Sequence, residues 1–381
     1  MGDVARTDAY GSLDFSETQA DLLESASRFC ADYSPSEKVR AQMTGETGFD
    51  PAVWAAIVDM GWLGIAIPDA YDGGIGLSPA DLVPVMEQMG KHLLATPFMA
   101  SVTAAHLITL AGTETQKAKL LPAIARGEYV SLATMETDGA WEPLTATASI
   151  VEDAGNMRLS GEKVLVPYGG LAQYILVLIE RAGSPAFVIL AGEDIPKTAK
   201  RAETLIDETQ RSVTLTLDGL SCAPDQLIDG DHVAGALRRA YHLQALLASA
   251  AGVGAAQAVI DYTADYLRTR KQFGKPIGAY QALKHPMVDA YVNTEQARSH
   301  LYSAAASIDQ QGTGEIAVRM ARAAADQALS FAADRSIQFH GGFGFTYDCD
   351  AQLYRRFAAW QAAMFGDAAY HRARLAPLLF G

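Results

Sequence analysis

Two long helical patterns meet in the sequence Arg268-Thr-Arg-Lys-Gln-Phe-Gly-Lys-Pro-Ile-Gly-Ala-Tyr-Gln-Ala-Leu-Lys284. Four positive charges lie close together here in a chain that is otherwise acidic: Arg268, Arg270, Lys271 and Lys275. Gly274, Pro276 and Gly278 then break the helix. Exposed positive charge beside a helix break suits an anionic group such as a phosphate. A solvated basic turn between two helices has the same composition, so both interpretations stay open at this point.

The composition is that of a large globular protein. The 381 residues suffice for two or three domains, and 49% of them are hydrophobic. The net charge of −14 argues against nucleic acid as the main partner, because phosphate-backbone binding needs a dominant basic face. Cys30, Cys222 and Cys349 show no metal-ligand spacing, so we expect a reducing, cytoplasmic setting and no metal. We also expect no signal peptide at the polar N-terminus and no membrane span, since about 18 uninterrupted apolar residues occur nowhere.

Hydrophobic periodicity changes twice along the chain. Residues 1–128 predict an N-terminal helical domain, in which Ser16 and Pro51 each open a helix. Residues 129–230 carry short runs rich in strand-forming residues and predict a middle β domain, either a barrel or a sandwich. Residues 231–381 are helical to the end and predict a C-terminal four-helix bundle. The predicted fold class is therefore α+β.

A second glycine-rich block, Gln338-Phe-His-Gly-Gly-Phe-Gly-Phe345, helps to interpret the basic stretch. This block and Arg270-Lys-Gln-Phe-Gly-Lys-Pro-Ile277 resemble the two C-terminal signatures of the acyl-CoA dehydrogenase family, whose three domains follow the same α–β–α order. The resemblance implies FAD as the cofactor and an oligomer with sites shared between chains. An arginine in the first block would hold the FAD pyrophosphate, and the second block would approach the FAD of a neighbouring subunit. The cofactor-binding residues implied are Arg270, Phe273, Gln281, Gln338, Gly341 and Gly342.

The activity implied by the resemblance is α,β-dehydrogenation of an acyl-CoA thioester, in which a base removes an α-proton while the flavin accepts a hydride. In the family this base is a glutamate at one of two places, and the sequence has neither. Phe365 stands at one place, directly before Gly366, and Gln244 stands at the other, where an amide cannot act as a base. Asp367 remains as the candidate catalytic base. It is also well placed to cap the last helix, the role that we favour, which would commit its oxygens to backbone N–H groups.

The β domain also departs from the family pattern. The flavin-contacting run Thr-Glu-Pro-Gly-x-Gly-Ser is replaced by Met135-Glu-Thr-Asp-Gly-Ala-Trp-Glu-Pro143, and the Trp-Ile-Thr/Ser run that covers the flavin ring is replaced by Leu165-Val-Pro167. Pro167 has neither an N–H nor a hydroxyl to offer a ring. Arg270 and Gln338, which the resemblance assigns to the phosphate end, are retained. We therefore expect an incomplete flavin face in this chain.

Three hypotheses follow. In the first, the chain is a self-sufficient FAD-dependent acyl-CoA dehydrogenase that uses Asp367 or an unrecognised carboxylate. In the second, it is a cofactor-sharing subunit of a heterotetramer without its own base, and in the third it is a flavin monooxygenase on the same fold. The expected assembly is a homo- or heterotetramer with a second acyl-CoA dehydrogenase subunit. Arg270 and Gln338 suit a diphosphate and so favour FAD. We favour one subunit of a heteromeric acyl-CoA dehydrogenase. Its expected substrate is a bulky or steroid-type acyl-CoA, as in steroid catabolism, and its expected electron acceptor is an electron-transfer protein.

Overall fold

The computed structural model describes residues 16–153, 156–310 and 312–381; the N-terminal segment on which the signal-peptide expectation rests lies outside them. The first helices are α1 (Glu17–Tyr33), α2 (Ser36–Met43), α3 (Pro51–Asp59), α4 (Val83–Lys91), α5 (Phe98–Ala111) and α6 (Glu114–Ala125). The strands that follow are β1 (Val130–Ala133), β2 (Ser149–Asp153), β3 (Asn156–Ser160), β4 (Glu162–Pro167), β5 (Tyr174–Arg181), β6 (Ser184–Ala191), β7 (Lys200–Ala202), β8 (Ser212–Thr216), β9 (Ser221–Cys222) and β10 (Leu227–Ile228). The last helices are α7 (Val233–Thr269), α8 (Gln281–Ser307), α9 (Thr313–His340), α10 (Ala351–Phe365) and α11 (Ala368–Phe380), with the short strands β11 (Lys271–Gln272) and β12 (Lys275–Pro276) between α7 and α8. This order confirms the predicted α+β fold class.

Contacts within the chain group its residues into two compact units. The helical unit contains the described residues up to Val39, together with Ala80–Leu94 and Ala245–Gly381. The sheet unit contains Arg40–Pro79 and Ala95–Gln244. The predicted boundaries near residues 128 and 230 follow the change of secondary structure rather than this grouping, and the three-domain division stays a prediction.

In the helical unit, α4 and α7 approach each other at backbone distance. A Cβ on Gly254 would lie 1.9 Å from the carbonyl oxygen of Glu87, and a Cβ on Gly90 would lie 2.1 Å from that of Ala251. Real Cβ atoms do not come this close, so both positions require glycine. By length and composition α7 could cross a membrane, yet 83% of its most apolar 18-residue window is buried inside the fold, as in any core helix.

A buried ion pair lies beside this crossing. Glu87 on α4 is 2% exposed, and its carboxylate accepts hydrogen bonds from Arg298 Nε at 3.1 Å and from Tyr302 Oη at 2.6 Å. Both donors belong to α8. Two charges taken out of water are tolerated only when each is paired and hydrogen-bonded, as here. The pair therefore ties α4 to α8 with a fixed orientation.

The sheet unit contains two sheets that share one hydrophobic cluster. In the larger sheet the strand order is β10-β6-β5-β2-β3-β9, with β1 parallel to β5; in the smaller it is β4-β8-β7. Val166 of β4 and Leu215 of β8 are buried in one cluster with Val177 of β5 and Val188 of β6. Of the two predicted forms of the β domain, the structure therefore has the sandwich.

Candidate functional site

The basic stretch forms a tight hairpin between α7 and α8. Lys271–Gln272 pairs with Lys275–Pro276, and the two residues at the turn, Phe273 and Gly274, both have positive φ, 52° and 81°. Two-residue turns of this kind match the twist of the flanking strands. The Phe273 ring is 92% exposed, and Arg270 is exposed and pairs with no carboxylate in the described part of the chain. The hairpin thus presents a cation and an aromatic ring to the outside.

The end of α9 packs on the end of α7. The His340 ring stacks on Tyr266, with ring centroids 4.2 Å apart, and on Tyr262, at 4.9 Å. His340 Nδ1 donates to the carbonyl oxygen of Ser336 at 2.8 Å. Because Arg270 follows Tyr266 by four residues and Gly341 follows His340, both sequence blocks adjoin the same aromatic stack in the helical unit.

The segment after α9 contains three glycines, and packing or backbone conformation explains only two of them. A Cβ on Gly344 would lie 2.3 Å from the carbonyl oxygen of Ile337, so that glycine is required internally. A Cβ on Gly341 or Gly342 would meet nothing within 4 Å. The φ of 61° accounts for glycine at Gly341, but Gly342 has no positive φ. Open space beside an exposed glycine is what close approach by another molecule requires.

The turn between α10 and α11 is the place where the resemblance puts the base, and it is closed by hydrogen bonds within the chain. Asp367 Oδ1 accepts from the N–H of Tyr370 at 2.7 Å, so the predicted helix cap is confirmed. The carbonyl oxygen of Phe365 accepts from His371 Nε2 at 2.8 Å. Gly366 has a φ of 77°, and a Cβ there would lie 2.6 Å from the ring of Tyr370. Phe365 therefore has a fixed backbone but no ionisable group to contribute.

A second carboxylate at this turn is engaged in the same way. Asp326 Oδ2 accepts from the N–H of Ala368 at 2.9 Å, and Asp326 Oδ1 lies 3.7 Å from Arg322 Nη2. Arg322 is 1% exposed and donates to the carbonyl oxygen of Gln361 at 2.8 Å. Burial raises the pKa of Asp326, and Arg322 opposes that rise. The ion pair fixes the turn on α9, and the two described carboxylates at this turn, those of Asp326 and Asp367, are both engaged.

In the sheet unit, the segment 165–168 has few donors left. Leu165 and Tyr168 have φ values of 52° and 50°, a region that L-residues rarely adopt. The N–H of Leu165 donates to Glu203 Oε1 at 3.2 Å, and the N–H of Tyr168 donates to the carbonyl oxygen of Arg211 at 3.0 Å. Pro167 has no N–H. These three positions therefore offer no N–H to a bound ring.

Directly before this segment, β4 carries a fully buried lysine. Lys163 Nζ donates to Glu136 Oε1 at 2.7 Å, and the N–H groups of Thr147 and Ala148 donate to the same carboxylate. Burial alone would raise the pKa of Glu136, but these hydrogen bonds outweigh it and lower the pKa to about 2. The pair stays charged and joins both ends of the loop between β1 and β2 to β4.

The diphosphate of FAD, the cofactor implied by the resemblance, fits the residues of the helical unit, whereas its ring does not fit those of the sheet unit. An exposed unpaired arginine and an open glycine segment at the same end of the helical unit suit a diphosphate. The backbone around Pro167 does not suit a flavin ring, because the N–H groups of Leu165 and Tyr168 are engaged and Pro167 has none. In the described ranges, no three residues of the types His, Cys, Asp and Glu are grouped to hold a metal.

Four of the seven predicted site residues lie in segments that adjoin the aromatic stack. Arg270 follows Tyr266 by four residues, and Gln338, Gly341 and Gly342 lie within two residues of His340. Phe273 is at the hairpin tip, Gln281 begins α8, and among described residues no hydrogen bond or ion pair joins Asp367 to any of the other six. Two buried ion pairs were not predicted from the sequence. The pair Arg322–Asp326 could have been found from its four-residue spacing on a helix. The pair Glu136–Lys163 could not, because no local sequence pattern indicates that these two residues are buried.

Comparison with known proteins agrees with the sequence blocks. The family description "Acyl-CoA dehydrogenase, N-terminal domain" matches residues 16–128, and "Acyl-CoA dehydrogenase, C-terminal domain" matches residues 236–379. Acyl-CoA dehydrogenase IpdE2 of Mycolicibacterium smegmatis is 28% identical over 366 residues, which are 96% of this chain and all of that protein. Acyl-CoA dehydrogenase FadE12 of Mycobacterium tuberculosis is 29% identical over 308 residues, 77% of this chain and 79% of that protein.

Solved structures show the same fold. A variant of the Tcur3481-Tcur3483 steroid ACAD superposes with a TM-score of 0.83 at 26% identity, over 95% of this chain and 98% of that chain. A chain of the ChsE4-ChsE5 complex from Mycobacterium tuberculosis superposes with a TM-score of 0.86 at 24% identity, over 96% and 98%. Both terminal domains and the fold agree, so the chain belongs to the acyl-CoA dehydrogenase family, whose members carry out FAD-dependent dehydrogenation.

Proposed function

We propose that this chain is one subunit of a heteromeric, FAD-dependent acyl-CoA dehydrogenase in which a second family member supplies the catalytic carboxylate. The observation that carries the proposal is the closed turn between α10 and α11. Phe365 stands at the position of the base, and the carboxylate of Asp367 is committed to the backbone of α11. A general base needs an oxygen directed at the α-proton of the substrate, and this turn provides none.

The cofactor contribution of the chain is its helical end. Arg270 offers an unpaired guanidinium to a diphosphate, and Gly342 leaves room for close approach. When bound, FAD supplies the hydride acceptor. The segment around Pro167 lacks the donors that a flavin ring would need, which supports a ring held mainly by the partner subunit. In this arrangement the chain binds and orients the phosphate end, and the partner holds the reacting atoms.

A bulky acyl group is the proposed substrate class. The support is the likeness to the steroid ACAD structure, at 26% identity over nearly the whole chain. The likeness to a chain of the ChsE4-ChsE5 complex supports a hetero-oligomer as the assembly. An electron-transfer protein is the proposed electron acceptor. The cytoplasm is the proposed location, because Cys30, Cys222 and Cys349 are all free thiols.

The test compares the chain alone with the chain mixed with a second family member that has a glutamate at the position of Phe365. FAD content, solution mass and turnover of a steroid-type acyl-CoA with an artificial electron acceptor are measured for both. We expect little FAD and no turnover from the chain alone, and both in the mixture. Arg270→Gln should lower the FAD content of the mixture.

Asp367→Asn is the matched control. Asparagine caps a helix as well as aspartate does, so the variant keeps the turn and removes only the ionisable group. We expect the mixture to keep its full activity with this variant. Turnover by the pure chain that Asp367→Asn abolishes would overturn the proposal and make Asp367 the base.

A further inference from the structure

The glycine segment 341–348 is held at both ends by one helix. At its start, His340 stacks on Tyr262 and Tyr266 of α7. At its far end, the Tyr262 hydroxyl lies 3.7 Å from Cys349 Sγ and accepts from the N–H of Asp350 at 3.4 Å. The same tyrosine therefore contacts the residues before and after the segment.

The ring of His340 is held in a fixed orientation. It is 4% exposed, and its Nδ1 donates to Ser336 on the preceding turn of α9. Ser336 is in turn bonded to α7, because Thr263 Oγ1 donates to Ser336 Oγ at 2.6 Å. Burial lowers the pKa of His340, which favours the neutral ring between the tyrosines. A leucine would fill the same space without fixing the direction in which the chain leaves α9.

The helix that holds this segment also leads into the hairpin. Tyr266 lies in the last turn of α7, and the N–H of Arg270 donates to the carbonyl oxygen of Tyr266 at 2.9 Å. One element thus sets the position of the Arg270 cation and of the open glycines. Two halves of an anion site that come from distant parts of the chain need such a common support, because misplacement by about 1 Å is costly.

We infer that Tyr262, Tyr266 and His340 are positioning residues that set the distance between Arg270 and the glycine segment, and so build a two-part diphosphate site. The inference rests on the proposed function and names the support of its FAD site. None of the three residues is assigned a contact with FAD; each acts through the backbone that it holds.

The test measures the dissociation constant of FAD from the assembled complex. His340→Ala removes the stack and should weaken FAD binding about tenfold. His340→Phe keeps an aromatic ring between the tyrosines and should restore most of the affinity. Ser16→Ala is the control for stability alone, because it removes the capping box of α1 and leaves α7 and the stack intact. We expect it to lower the melting temperature without changing FAD affinity.

A second readout does not depend on FAD. Limited trypsin digestion, followed by mass analysis of the fragments, reports the order of the hairpin through cleavage after Arg270 and Lys271. His340→Ala should speed this cleavage in the chain alone, and His340→Phe should not. Unchanged cleavage and unchanged FAD affinity in folded His340→Ala would each overturn the inference. If the wild-type complex holds no FAD, the proposed function fails, and the digestion still decides whether the stack orders the hairpin.

Discussion

Gly254→Ala tests the closest backbone approach in the helical unit. The added Cβ would lie 1.9 Å from the carbonyl oxygen of Glu87 and 2.9 Å from the nitrogen of Lys91, whereas ordinary contact begins at 3.4 Å. The two helices must therefore separate by about 1.5 Å, the difference between 3.4 and 1.9 Å, because both clashing groups are backbone and no side-chain rotation relieves them. Overpacking of this kind costs up to about 3 kcal/mol. Alanine gains about 1 kcal/mol over glycine inside a helix, so we expect a net loss of about 2 kcal/mol.

Gly252→Ala, two residues away on the same helix, is the matched control. Its Cβ would come no closer to another atom than the 3.7 Å that separates it from Ala325 Cβ, an ordinary contact, so the variant should gain up to about 1 kcal/mol. Urea unfolding followed by far-UV circular dichroism measures both variants against the wild type. The two should differ by about 3 kcal/mol in opposite directions. Equal unfolding midpoints for Gly254→Ala and Gly252→Ala would mean that the backbone clash at residue 254 does not destabilise the fold.

Three further perturbations test other parts of the helical unit. Arg298→Met should lower the free energy of unfolding by about 3–5 kcal/mol, because Glu87 would stay buried without its cation. Adding Glu87→Gln should recover part of that loss, and urea unfolding that shows no recovery would contradict this explanation. Asp367→Ala should cost about 1 kcal/mol in calorimetry through the lost cap, whereas Asp367→Asn should cost little; equal losses would mean that the cap is not the cause. The free energy of unfolding should fall as the pH drops from about 6.5 towards about 4. Burial, and to a smaller extent Lys91, lower the pKa of His92 to about 4, so the unfolded chain binds the proton first. His92→Gln should reduce this pH dependence of the melting temperature, and a wild-type melting temperature that is constant over this range would rule the effect out.

The helices could be predicted because their signals are local. Ser16 accepts from the N–H of Gln19 and forms a complete capping box at the start of α1, and Pro51 begins α3 after the Asp50 cap. The strands were harder for a physical reason. β4 contains Glu162 and Lys163, and Lys163 is buried by pairing with a distant carboxylate rather than by hydrophobicity. No pattern within β4 contains that information.

In the candidate site, too, the local features could be predicted from the sequence and the long-range contacts could not. The cap at Asp367 was predictable, because donor and acceptor are three residues apart. The contribution of Asp326 to the same turn was not, because it comes from α9 and depends on how the helices pack. The meeting of the Arg270 hairpin with the glycine segment likewise depends on the His340 stack. Sequence motifs identify such residues, but whether they lie close together depends on the tertiary structure.

The discontinuous make-up of the helical unit has a consequence for synthesis. Its early pieces, which include α1 and α4, end at Leu94, and their partners begin only at Ala245. At ribosomal rates of about 5–20 residues per second, about 150 residues must emerge in between, which takes about 8 to 30 seconds. The sheet unit is complete before that interval ends. During this time the apolar face of α4 waits without its partner, so we expect the nascent chain to need a chaperone at this stage and premature termination before α7 to yield an aggregation-prone product.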